Sequence, residues 1–161
     1  MIAKLTTPSR LTPDTGTNIN PATGLATDYL NHFNEAIMLL ELLVEMPECR
    51  DDFFEWRPRS YGEHFAASNF KHRDLAIAGY ESADPALRER LDAIANAMNE
   101  ILVATHKVMR QDLSDSSAGA IADLAVRWVK PMVARAGGVI NGTEIERGAV
   151  PQAAVDALMA R

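Results

Sequence analysis

The chain has 161 residues, enough for one domain with a sizeable core, with 47% apolar and 24% charged residues. A formal net charge of −6 and a pI near 5.2 argue against sequence-independent binding to a phosphate backbone and against adsorption to an anionic membrane. The single cysteine, Cys49, excludes an intrachain disulfide and a cysteine-based structural zinc site.

Residues 1–20 hold Pro8, Pro13 and several Thr with no helical or strand period, and are expected to form an extended or disordered arm. They carry no continuous apolar stretch of the secretory type, and no later run is long enough to span a bilayer, so a cytoplasmic protein is expected. Residues 21–161 are read as one helical domain.

The first helix is predicted over about 27–46, ending at Pro47. One broad face is apolar throughout, from Tyr29 and Phe33 to Leu40 and Leu43. A stripe beside it begins polar, at Asp28, Asn31, His32 and Glu35, and ends apolar at Leu39, Leu42 and Met46. Phe53, Phe54 and Trp56 then mark a connecting segment too apolar to lie free. Ser60 and Glu63 have the capping-box spacing, so a second helix is expected over 61–80. On its apolar side sit Asn69 and Arg73, four apart and therefore stacked.

Asp84-Pro85 is the clearest helix start, a capping acid followed by Pro at the first helical position. The third helix carries the stripe Leu87, Leu91, Ile94, Met98, Ile101, Thr105 and Val108. "DLSDSS" supplies the break before a fourth helix, whose inward stripe is predicted as Ile121, Leu124, Ala125, Trp128 and Met132. Pro131 should kink it and Gly137-Gly138 should stop it. "VINGTEI" fits an Asn-Gly turn, and a short last helix is expected from Pro151. Nothing alternates with strand-forming segments, so the expected fold is all-α: a four-helix bundle with an extended N-terminal arm and short additional helices.

No motif names a reaction. A nucleophile elbow, a P-loop and a dinucleotide fingerprint are all missing, and no cofactor is expected. A carboxylate-bridged dimetal bundle is disfavoured because the third helix offers no inward ligand beyond the Thr105 hydroxyl. His64, His72 and His106 fall on or beside polar faces and are read as surface residues. An Arg on a core face needs a partner, and Glu35 and Asp28 are the nearest by pattern. The candidate binding site is therefore a polar cluster between the first two helices: Asp28, Asn31, His32, Glu35, Asn69 and Arg73. It could hold a small anionic ligand on Arg73 and Asn69, serve as a structural ion-pair network, or be a wet surface where the helix ends emerge from the core. A metal on His32 and Glu35 is the weaker alternative. The function expected first is a non-enzymatic interaction or ligand-binding module, with a protein partner or a homo-oligomer through an amphipathic helix. An enzyme or metal protein working from the same polar cluster is the second expectation.

Overall fold

A computed structural model of the chain describes residues 18–143. The expected arm up to residue 17 and the expected helix from Pro151 lie outside the described residues. The described residues form six α-helices and no strand beyond an isolated bridge between Ile19 and Ala26, so the fold is all-α.

Asn20 does not open a helix. Its side-chain oxygen accepts from Ala22 N and Thr23 N, an Asx turn that competes with helical pairing. A 3-10 turn at Thr27–Tyr29 then leads into α1, Leu30–Glu45. A second 3-10 turn, Pro47–Cys49, leads into the short α2, Arg50–Glu55. The Ser60–Glu63 capping box forms as its spacing predicts and opens α3, Tyr61–Ala67.

The second predicted helix does not run through to residue 80. It breaks between α3 and α4, Arg73–Ser82. Ser68 is the cause: its hydroxyl accepts from Phe70 N and donates to the Phe65 carbonyl, offering the backbone a turn in place of the helical ladder. Asp84 then caps α5, Pro85–Met109, and Ser114 caps α6, Asp115–Asn141. Neither Pro131 nor Gly137-Gly138 ends α6. Pro131 lies on the exposed side, and the helix stops only at Gly142, whose φ of +79° is left-handed. Thr143 N bonds to Gly138 O and Gly142 N to Val139 O, the two bonds of a Schellman motif.

Among the described residues the long helices are three, α1, α5 and α6, with α6 packed along both others and the short helices closing the remaining sides. That middle position decides which side chains α6 buries. Its core stripe is Ala118, Ala122, Ala125, Val126, Val129, Ala136, Val139 and Ile140. Of the predicted stripe, Ala125 is buried and Ile121 and Met132 pack on the core, but Leu124 and Trp128 are 45% and 55% exposed. Small side chains let a helix approach two neighbours closely, whereas a row of large ones would hold them apart.

On α5 the predicted stripe is correct through Met98 and again at Thr105, while Leu102 and Met109 are buried in place of Ile101 and Val108. Spacings of three and four average 3.5 residues, while a straight helix turns every 3.6, so the buried face drifts by about 20° per heptad. The centre of the core is filled by Tyr29, Phe33, Leu40, Tyr61, Phe65 and Met98.

Candidate functional site

Of the six residues expected to form a polar pocket, three come together. Asn31 Nδ2 donates to Asp28 Oδ1 at 3.0 Å, and Asp28 Oδ2 lies 3.2 Å from Nε2 of His64. The His64 ring in turn lies against His32, with centroids 6.1 Å apart. Glu35, Asn69 and Arg73 take no part. Glu35 and Asn69 are exposed, and the break at Ser68 carries Asn69 out of any helix. Arg73 is exposed at the start of α4, where its guanidinium donates to the Ser68 carbonyl at 3.1 Å. It therefore needs no buried carboxylate partner.

His64 corrects the expectation of a surface histidine. It is only 9% exposed, because α3 sets it against Asp28 and Tyr29 of the 3-10 turn and against His32. His106 is half-buried rather than free, its Nε2 3.0 Å from the Phe54 carbonyl. His72 is half-buried with its ring edge-on to Phe70.

The centre of the cluster is His32, 4% exposed. Its ring stacks on Trp56 at 4.7 Å and lies parallel to Tyr29. Its Nε2 accepts from Arg59 N at 3.1 Å, and its backbone carbonyl accepts from Trp56 Nε1 at 3.0 Å. The Arg59 carbonyl accepts from the Tyr29 hydroxyl at 2.8 Å and from Asn99 Nδ2 at 3.3 Å. His32 and its neighbours thus clamp the Trp56–Arg59 strap from both sides. Burial, with the adjacent His64 second, pushes the His32 pKa down to about 4, since a charged imidazole would lose its hydration there. Burial likewise raises the Tyr29 and Tyr61 hydroxyls, the latter to about 12. These bonds and ring contacts tie the 3-10 turn, α1 and the Trp56–Arg59 strap together. Among the described residues no three His, Cys, Asp or Glu side chains are grouped to hold a metal ion, so His32 and Glu35 lack a third ligand.

The open concave surface lies elsewhere, between α5 and α6. A groove of about 540 Å³ is lined by the small residues Ala97, Ala104 and Ala125 and by the larger Ile121, Leu124 and Trp128. Glu100 is the one charged residue on its lining. Ile121, Leu124, Ala125 and Trp128 of the predicted α6 stripe line this groove, so the signal was present in the sequence, but Leu124 and Trp128 face outward rather than into the core. No helix among the described residues is long and apolar enough to cross a membrane, so the exposed apolar face is not part of a spanning segment. No family model, curated protein or solved structure matches the chain.

Proposed function

We propose that the protein is a non-enzymatic interaction module that pairs through its α5–α6 face with a second copy of itself. The observation that carries this reading is Trp128, an indole left 55% exposed beside an apolar groove. Large exposed apolar patches mark interaction sites, and aromatic residues anchor them. A second copy is favoured because the projecting side chains and the recess that receives them share one face. A twofold contact requires that self-complementarity, each partner presenting the same patch to the other. Catalysis or metal binding between the first two helices has less support, because His32 is engaged on all sides and Glu35, Asn69 and Arg73 point elsewhere.

Sedimentation over a range of concentrations tests the reading. The wild-type chain should dimerise at micromolar concentration, and Trp128→Glu should shift it to monomer with its helical circular dichroism unchanged. A chain that stays monomeric at several hundred micromolar, or a dimer that survives both Trp128→Glu and Leu124→Glu, would overturn it.

A further inference from the structure

On the other flank of α5, away from Trp128, lies a second concavity of about 330 Å³, lined by Trp56, Arg57, Pro58, Val103, His106 and Arg110. Its volume lies within the range of small-molecule sites. Three of its six residues are basic and none is a carboxylate, in a chain with 22 acidic and 16 basic residues. All three are gathered around Phe54. Arg57 Nη1 donates to the Phe54 carbonyl, which also lies 3.0 Å from His106 Nε2. The Arg110 guanidinium stands 5.5 Å over the Phe54 ring. Neither Arg57 nor Arg110 forms an ion pair among the described residues, and Lys107 stands exposed one residue from His106.

Arg57 and Arg110 line one pocket with no ion-pair partner of their own among the described residues, and an anion bound between them would interact favourably with both. Guanidinium groups match the planar geometry of a carboxylate or phosphate. Trp56, Pro58 and Val103 supply the remaining wall, and Val103 is exposed although apolar. The Trp56–Arg59 strap is held by the bonds to His32, Tyr29 and Asn99 described above, so this wall is preformed.

We infer that this pocket binds a small organic oxyanion, a carboxylate or phosphate ester carried on a flat apolar body. The oxyanion sits between Arg57 and Arg110, and the apolar body lies against Trp56, Pro58 and Val103. The site is separate from the α5–α6 groove and stands whether or not the chain dimerises.

Fluorescence titration at low salt in a Trp128→Phe background, where Trp56 is the only indole, tests the inference with three probes: phenyl phosphate, benzoate and inorganic phosphate. Phenyl phosphate or benzoate should bind saturably and at least tenfold more tightly than inorganic phosphate, and the tighter of the two identifies the headgroup. Arg110→Met should weaken the better probe about tenfold or more, the loss of one charge-assisted contact. Arg57 also caps the end of α2, so Val103→Phe is the safer second variant: it fills the pocket, keeps every charge, adds no indole and should abolish binding. Circular dichroism of each variant verifies folding. Three results would overturn the inference: no saturable binding of any probe, equal affinity for inorganic phosphate, or affinity unchanged in both Arg110→Met and Val103→Phe.

Discussion

The His32 cluster and the α5–α6 face exchange the usual places of polar and apolar side chains. In the cluster, two imidazoles are buried among Tyr29, Phe33, Trp56 and Phe65. On the face, an indole and a leucine stand in water. The cluster is tolerated because its polar atoms have partners: Arg59 N and Trp56 Nε1 bond to His32, and Asp28 to His64. Satisfied polar groups cost little to bury, whereas unsatisfied ones cost several kcal/mol. The face has no such compensation within the described residues. Chemical character alone therefore misleads about burial here: histidines lie inside, and a tryptophan and a leucine lie outside.

The sharpest way to break this comparison is to make the same truncation on each side. Phe33→Ala should destabilise the protein by about 3–5 kcal/mol, as expected for emptying a buried aromatic site. Trp128→Ala should shift stability by no more than about 0.5 kcal/mol. Urea denaturation followed by circular dichroism measures both, and equal losses would mean that Trp128 belongs to the core.

Next in size is Gly79→Ala. A methyl group on Gly79 would collide with the carbonyl oxygen of Gly24, where α4 meets the turn before α1. Backbone cannot yield as a flexible side chain does, so a loss of about 3 kcal/mol is expected. A neutral result in the same denaturation experiment would show that the contact is not close.

The third prediction concerns acid. The folded-state pKa of His32, about 4, lies below the ordinary value of 6.5, so the unfolded chain binds this proton more readily than the folded one. The stabilisation from keeping His32 neutral is complete above about pH 6.5 and is lost as pH falls toward 4, amounting to about 2–3 kcal/mol. His32→Gln keeps an acceptor for Arg59 N but cannot titrate. Stability measured from pH 7 to pH 4 should therefore fall less steeply in the variant, and parallel curves would show that His32 is not the group responsible.

The smallest effect is expected at Arg73. Its charge is exposed and meets only the Ser68 carbonyl, so Arg73→Ala should change thermal stability by no more than about 0.5 kcal/mol. A loss of several kcal/mol would restore the buried ion pair that the helical pattern suggested.

Local physics was legible along much of the chain. The caps at Ser60, Asp84 and Ser114 and the span of α1 follow from short-range hydrogen bonding and hydrophobic period, which act within a few residues. Half of the candidate cluster was legible as well: Asp28, Asn31 and His32 share a stripe by helical geometry alone. Asn69 and Arg73 were misplaced because a continuous helix over 61–80 was assumed, and one serine hydroxyl is enough to divert the backbone. The phenylalanine and tryptophan content around Trp56 was visible, but its meeting with Arg110 and His106 on α5 was not, since some fifty residues separate them in the chain.

By itself, then, the sequence determined where the capped helices α3, α5 and α6 start and that the fold is all-α, since capping and periodicity are local. Which face of α6 turns inward was decided only by its place between α1 and α5, where close packing selects Ala and Val over Leu124 and Trp128. Whether a histidine is wet or buried was likewise a tertiary decision. His64 is dry because α3 sets it against the 3-10 turn before α1 and against His32, and no pattern within its own helix carries that information.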